Sequence, residues 1–286
     1  MKTFLIWVEA SRPKTLIASI SPALIGTVLA WNTGSFSLLT FLLTLMTGVA
    51  IQVGTNFAND YFDFLKGADT NERKGPRRVT QSGLVALPMM RKAIIVAFTL
   101  AAVSSAYLAT IDGPYISLLA IIYIGLSLAY TAGPMPLAYL GLGDFFVLFF
   151  YGPVATLITY YLQTHEIPLH VGILGLCPGL ISTAILTANN LRDVNEDRKC
   201  HKKTVVVRFG ETFGKIEYTV CIAAACCIPC LYGHYLMPML LIPAFVPMKA
   251  VWTIQDKRLL NVPFAQTGKF LILYTLLLTI SMVYGI

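Results

Sequence analysis

The sequence predicts an all-α protein whose helices cross a membrane and surround a central cavity. Of its 286 residues, 56% are apolar and 12% are charged, whereas an ordinary soluble domain has about 25% charged residues. The mean hydropathy is +0.71, and the apolar residues form unbroken runs instead of the alternating pattern of membrane strands. These features exclude a disordered chain, a coiled coil and a typical soluble enzyme, and they favour a polytopic membrane protein.

Nine segments are apolar and close to the length of about 20 residues that a membrane-crossing helix needs. In chain order these segments are 15–31, 37–58, 93–111, 115–132, 145–162, 169–190, 216–232, 235–252 and 269–286. The preceding segment, 2–14, is typical of a short interfacial helix, since its apolar run is too short for a cleaved signal peptide. The nine segments leave no length for a soluble domain, so we expect residues 1–286 to form a single domain.

The basic residues predict the orientation of these helices. All 21 Lys and Arg residues fall before the first segment, between the second and third, after the sixth, or around the loop between the eighth and ninth. An even number of segments separates these groups, so every basic residue lies on one face, which the positive-inside rule makes cytoplasmic. We therefore expect a cytoplasmic N-terminus. The net charge of +7 needs no nucleic-acid partner.

Acidic residues concentrate in two short stretches on that same face. The first stretch follows the second segment and contains Asn56, Asn59, Asp60 and Asp63. The second stretch follows the sixth segment and contains Asn189, Asn190, Asp193 and Asp197. Spacings of three and four residues place such side chains on one side of a helix. Because both preceding helices run in the same direction, we expect the two stretches to face each other across a cavity.

These side chains predict a Mg²⁺-dependent diphosphate site. Carboxylates held this close repel each other unless a cation lies between them, and oxygen ligands that share a substrate phosphate suit Mg²⁺. Basic residues near the acids can contact the phosphate oxygens. The candidates are Arg12, Lys66, Arg73, Arg78 and Lys203. For either stretch alone a solvated loop is the alternative, and for Arg12 it is contact with lipid headgroups.

At these motifs the chain resembles the UbiA superfamily of membrane prenyltransferases. Asn59-Asp60-Tyr-Phe-Asp63 and Asp193-Val-Asn-Glu-Asp197 are similar to the two Asp-rich motifs of that family. In the family these motifs bind two Mg²⁺ ions that hold the diphosphate of a polyprenyl donor. The resemblance implies that the four Asp residues of the two motifs are catalytic, and that they and the neighbouring Asn residues are metal ligands. It also implies a lipid-embedded enzyme.

Within the superfamily the chain is most similar to the branch that uses 1,4-dihydroxy-2-naphthoate in menaquinone biosynthesis. The loop that contains Tyr130, Tyr139 and Asp144 is the main basis, and the resemblance suggests these residues for acceptor binding. It implies polyprenyl transfer with loss of diphosphate and CO₂, giving demethylmenaquinol, at the cytoplasmic side of a bacterial inner membrane. One difference is that Gly67 stands where many members have a third acid, and Asp69 follows instead.

Two kinds of alternative stay open at this point. A related prenyltransferase would use another acceptor, such as 4-hydroxybenzoate, haem, a chlorophyll precursor or a deoxyfutalosine-type intermediate, and the Asp-rich motifs do not choose among them. A cation-coupled transporter is the alternative from a different class. It would place its acids near the bilayer midplane, often in broken helices. Here the acids lie at one face, which argues against transport.

Overall fold

The computed structural model describes residues 2–67, 75, 77–133 and 136–285. Every regular element in these ranges is an α-helix or a short 3₁₀ helix, as the sequence predicts. Within the described residues, seven helical segments are long and apolar enough to cross a membrane, and the chain is an integral membrane protein. Two residues of the first acidic stretch, the candidate Arg73 and the displaced acid Asp69, lie outside the described residues.

The helices follow one another with short connections. They are α1 (Lys2–Ser11), α2 (Pro13–Asn32), α3 (Leu38–Leu65), α4 (Leu87–Asp112), α5 (Tyr115–Thr131), α6 (Gly143–Phe150), α7 (Pro153–Thr164), α8 (Leu169–Lys199), α9 (Val205–Phe209), α10 (Glu211–Cys227), α11 (Leu241–Thr253) and α12 (Asn261–Tyr284). The 3₁₀ helices are Ile228–Tyr232, Met237–Leu240 and Lys257–Leu260. The predicted interfacial segment becomes α1, which is separated from α2 by Arg12 in a left-handed conformation, with φ of 51°.

Seven of the nine predicted segments coincide with the long apolar helices, and the other two are shorter. The fourth and eighth predicted segments correspond to Tyr115–Thr131 and Met237–Thr253, which are apolar but fall below the length of the other seven. Two helices continue past the ends predicted at residues 58 and 190: α3 ends at Leu65 and α8 at Lys199. The two acidic stretches therefore stand largely on helices instead of in loops.

The fifth predicted segment is broken into α6 and α7 where it packs closely against α8. A Cβ atom on Gly152 would lie 2.3 Å from the carbonyl oxygen of Leu148 and 2.9 Å from that of Gly175. A Cβ atom on Gly179 would lie 2.9 Å from the Cα of Gly152. Small residues let membrane helices approach this closely. This packing holds α6 and α7 against the most deeply buried helix of the protein, α8.

Candidate active site

A cavity of about 550 Å³ lies among helices α2 to α8, with one lining residue each from α1 and α12. Its wall on α3 is a single stripe that recurs at every helical turn: Thr44, Thr47, Gly48, Ile51, Gln52, Thr55, Asn56, Asn59 and Asp63. Thr44 and Asp63 are 19 positions apart, which is about 28 Å at 1.5 Å per residue. The cavity is therefore nearly as long as the hydrocarbon core of a bilayer, which is about 30 Å thick.

The two ends of this cavity differ in chemistry. At the end that we call the mouth, the lining side chains are charged or carry amides, and they include Glu9, Arg12, Lys14, Asn59, Asp63, Arg77, Arg78, Asn189 and Lys202. At the opposite end, which we call the apolar end, they include Leu108, Ile116, Leu119, Ile158 and Leu162. A cavity of this kind suits an elongated ligand with an anionic head and an apolar tail.

Helix α3 brings Asn59 and Asp63 to the mouth. The carboxylate oxygen Oδ2 of Asp63 accepts a hydrogen bond of 2.9 Å from Nη2 of Arg78. The Asp63 side chain is 21% exposed, whereas that of Arg78 is 7% exposed. Asp63 is thus an acid that is still accessible to a ligand while its orientation is set by a buried cation.

The other two members of the first stretch hold the scaffold together in this structure. Asp60 is 2% exposed and does not line the cavity. Its Oδ2 and Oδ1 accept hydrogen bonds of 3.1 Å from the backbone N–H groups of Val79 and Thr80. Asn56 does line the cavity, but its Nδ2 donates to the carbonyl oxygen of Ser11 at 2.8 Å. The predicted set of four ligands is therefore divided between the mouth and its supports.

The contacts of Asp60 predict a structural effect of its removal. We expect Asp60→Ala to lower the free energy of unfolding by about 2–4 kcal/mol, because two buried backbone donors lose their acceptor. Asp60→Asn keeps one acceptor oxygen, so its effect should be about half as large. Thermal unfolding in detergent measures both. If Asp60→Ala keeps its stability but loses Mg²⁺-dependent activity, then the sequence-based role as a metal ligand is right.

On α8 the second stretch is organised around a buried arginine for which the sequence alone indicates no role beyond a positive charge. Arg192 is 0% exposed, and its Nε and Nη2 donate to the two carboxylate oxygens of Asp193 at 2.7 and 2.6 Å. Nη2 also donates to Oδ1 of Asn189 at 2.5 Å, and Nη1 donates to Oδ1 of Asn261 on α12 at 2.8 Å. Arg192 therefore sets the positions of two predicted ligands.

Asp197, the last acid of the second stretch, faces Lys202. The Nζ atom of Lys202 lies 3.6 Å from Oδ1 of Asp197, and the buried Oδ2 has no hydrogen-bond partner. Burial alone would lower the pKa of Lys202, but the carboxylates of Asp197, Asp63 and Asp193 outweigh it and hold that pKa above its ordinary 10.5. One lysine thus experiences acids from both stretches, which supports their predicted convergence.

The remaining basic candidates lie in different environments. Arg12 and Arg78 line the mouth. The Nζ of Lys66 donates to the carbonyl oxygen of Thr131 at 2.7 Å, and Lys66 does not line the cavity; burial lowers its pKa, while Asp63 offsets part of that shift. Lys203 is exposed, and its neighbour Lys202 lines the cavity in its place.

Of the candidates for acceptor binding, two line the cavity and one does not. Tyr130 and Tyr139 line the cavity, and the Tyr139 ring lies 5.0 Å from Nζ of Lys66. Burial raises the pKa of Tyr139 to about 12. Asp144 is buried in the first turn of α6, outside the cavity lining, and its Oδ1 has no hydrogen-bond partner. Asn190 is buried on α8 and does not line the cavity either.

A divalent cation at the mouth would have to bind mixed oxygen donors. In the described part of the chain, no three Asp, Glu, His or Cys side chains lie close enough to hold a metal by themselves. The oxygen donors that line the mouth are Asp63 and Asn59 from α3 and Asn189 from α8. Mg²⁺ fits such a set, because it keeps several waters and takes further oxygens from substrate phosphates. Asp193 on α8 does not line the cavity, and both of its carboxylate oxygens accept hydrogen bonds from Arg192. The unpartnered Oδ2 of Asp197 is buried outside this lining.

Comparison with known proteins identifies the family. The model of the UbiA prenyltransferase family matches residues 19–276. The chain is 37% identical over 222 residues to a 1,4-dihydroxy-2-naphthoate octaprenyltransferase of Escherichia coli (strain K12), with 76% of this chain and 72% of that protein covered. It is 35% identical over 226 residues to the enzyme of the same name from Mycobacterium tuberculosis, with 79% and 77% covered.

A solved structure shows the same fold. A UbiA homolog from Archaeoglobus fulgidus bound to GPP and Mg²⁺ superposes with a TM-score of 0.63 at 12% identity, and the match covers 98% of this chain and 99% of the other. At this identity the likeness establishes the fold alone. Together with the family match over most of its length, it establishes that the chain belongs to the UbiA prenyltransferase family.

Proposed function

We propose that the protein transfers a polyprenyl group from its diphosphate to 1,4-dihydroxy-2-naphthoate. The observation that carries this proposal is the cavity, whose mouth collects cations, carboxylates and amides and whose other end is apolar. A polyprenyl diphosphate has the same division between an anionic head and a long apolar tail. The relatives named for this acceptor and the homolog that holds GPP and Mg²⁺ support the acceptor, the donor class and the metal.

At the mouth, the basic side chains bind the diphosphate as it becomes the leaving group. The allylic C–O bond breaks with its electron pair moving to the diphosphate oxygen, so negative charge grows there. Arg12, Arg78 and Lys202 surround this position, and fixed cations stabilise such charge most where water is excluded. When bound through Asp63 and Asp193 with Asn59 and Asn189, Mg²⁺ would neutralise further charge on the same oxygens.

The wall next to the mouth protects the allylic cation and presents the acceptor. Tyr130 and Tyr139 line this part of the cavity, and aromatic ring faces stabilise a nearby cation. The electron-rich naphthoate carbon that bears the carboxylate forms the new C–C bond. The C–CO₂ bond then breaks, its electron pair restores the aromatic ring, and CO₂ leaves. Asp144, buried close behind this wall, is the candidate that assists in deprotonating an acceptor hydroxyl.

We also propose nine membrane crossings, with the N-terminus and the mouth in the cytoplasm of a bacterium. The two shorter apolar helical segments, Tyr115–Thr131 and Met237–Thr253, have 17 residues each and reach about 26 Å at 1.5 Å per residue. That length is within the range of crossing helices when the bilayer thins slightly. The confinement of Lys and Arg to one face supports this orientation.

An assay of the purified protein tests the proposed function. With a polyprenyl diphosphate, Mg²⁺ and 1,4-dihydroxy-2-naphthoate, we expect one pyrophosphate and one CO₂ released per prenylated product. The same reaction is run with 4-hydroxybenzoate as a competing acceptor. Product from 4-hydroxybenzoate alone would replace the proposed acceptor and keep the reaction class, whereas the absence of product with any aromatic acceptor would reject the class.

Two adjacent lysines test which cation contacts the diphosphate. We expect Lys202→Met to raise the KM for the donor about tenfold or more, because a cation at the mouth is lost, whereas Lys203→Met should change it less than twofold. Steady-state kinetics at saturating acceptor measure both. The folded-state pKa of Lys202 is raised above 10.5, so Lys202 is fully protonated at neutral pH. Its ion pair with Asp197 is lost only as the pH rises through that raised pKa. Equal effects of both variants would contradict the assignment.

A further inference from the structure

Three side chains from three helices close the apolar end of the cavity. Leu108 of α4, Ile116 of α5 and Leu162 of α7 are buried, pack in one hydrophobic cluster and line the cavity. Leu43 of α3 packs against the same cluster without lining the cavity. We call Leu108, Ile116 and Leu162 the end wall, since it lies opposite the mouth.

The helices that carry the end wall are tied together next to it. The hydroxyl groups of Tyr115 and Tyr161 share a hydrogen bond of 2.6 Å, which joins the start of α5 to α7. Nδ1 of His165 lies 3.4 Å from Oδ1 of Asp112, which joins the end of α7 to the end of α4. The end wall is therefore braced by a hydrogen bond between α5 and α7, while α4 approaches the end of α7 through Asp112 and His165.

Four hydroxyl groups on the sides of the cavity bond within their own helices. The lining residues Thr44, Thr47 and Thr159 each donate to the carbonyl oxygen four residues earlier, at 2.7 to 2.8 Å. Ser105 donates to the carbonyl oxygen of Ala102, three residues earlier, at 3.0 Å. An apolar tail can thus lie along these sides until it meets the end wall.

The depth of the cavity corresponds to a small number of isoprene units. Asn59 at the mouth and Thr44 near the end wall are 15 residues apart on α3, which is about 22 Å. With carbon–carbon bonds of about 1.5 Å, an extended isoprene unit spans roughly 5 Å. About four units therefore fit between the diphosphate position and the end wall. An octaprenyl tail, as in the names of the bacterial relatives, is about twice as long.

We propose that Leu108, Ile116 and Leu162 are specificity-determining residues, which limit the donor tail held inside the cavity to about four isoprene units. The inference rests on the proposed function and extends it to the tail. Each unit inside the cavity adds buried apolar surface and hence binding free energy. A fifth unit meets the braced wall, so units beyond the fourth must turn out of the cavity, where they gain no comparable contact with the protein.

Donors of graded length test this limit. For diphosphates of two, three, four, five and eight isoprene units, we expect kcat/KM to rise severalfold per unit up to four and then to stay level. The double variant Ile116→Ala/Leu162→Ala removes six carbon atoms, and one isoprene unit has five, so the rise should continue to five units. Ala120→Leu adds bulk one turn above Ile116 on the cavity side and should end the rise at three.

Leu43→Ala is the matched control, because it removes three carbons from the same cluster without enlarging the lining; its limit should stay at four. Thermal unfolding in detergent is measured for every variant. If the double variant is too unstable to assay, Ala120→Leu decides alone. If the donor length at which kcat/KM levels off is unchanged in the cavity variants, or shifts equally in Leu43→Ala, the end wall does not set that length. The proposed function would still stand. Failure of the unmodified protein with every donor rejects the proposed function instead.

Discussion

Replacing Asp63 with asparagine is expected to lower kcat/KM by about 10³, or ~4 kcal/mol of transition-state stabilisation. Among the described acids of the first stretch, Asp63 lines the mouth, whereas Asp60 is bonded to two backbone amides. Asparagine has the same size and can still accept from Arg78. It lacks the negative charge that a divalent cation requires. The loss should therefore appear in activity much more than in stability.

The release of pyrophosphate, followed at several Mg²⁺ concentrations, measures this effect. Glu166→Gln is the matched control, because the same chemical change is made at an exposed acid between α7 and α8, away from the mouth. We expect this control to retain activity within twofold. If Asp63→Asn also retains activity within twofold at every Mg²⁺ concentration, the carboxylate is not part of the reaction.

Helical spacing predicts which residues share one side of a helix, but it does not predict what that side contacts. The spacing of Asn56, Asn59, Asp60 and Asp63 places them in one stripe, and a stripe on a helix is wide enough to meet several neighbours. In the structure Asn56, Asn59 and Asp63 line the cavity. Asp60 at the edge of the stripe meets residues 79 and 80, and Asn56 meets Ser11. Those partners come from segments whose packing no local pattern reveals.

Outside the helices, the sequence does not predict which of two neighbouring lysines faces the cavity. After α8 the chain turns at His201, which has a left-handed φ of 55°, and this turn decides which following lysine points to the cavity. The sequence favours Lys203, whereas the structure places Lys202 at the mouth. The predicted helices fare better, because apolar composition acts over about 20 residues. The break between α6 and α7 arises from close packing against α8 at Gly152, which is a tertiary effect.

Arg192 is the residue whose role the sequence conceals most, because its contact with Asn261 joins positions 69 apart. We expect Arg192→Met to lower the free energy of unfolding by about 3–5 kcal/mol, since removal of one partner leaves the other charge buried and unpaired. The variant should also lose at least about 10²-fold in kcat/KM, because Asp193 and Asn189 are no longer held in place. Asp193→Asn in the same background should recover part of the stability but none of the activity.

Arg192→Lys separates a positioning role from a purely structural one. Lysine keeps the positive charge but cannot form the paired hydrogen bonds by which the guanidinium holds both oxygens of Asp193. If Arg192 positions the ligands, the Mg²⁺ concentration for half-maximal rate should rise about 10–100-fold even where stability is largely retained. Arg198→Lys, the same change at an exposed site on α8, should leave that concentration unchanged. An Arg192→Lys variant with reduced stability and an ordinary Mg²⁺ requirement would show that Arg192 only supports the fold. A raised requirement would instead mean that this buried arginine presents the second carboxylate to the metal.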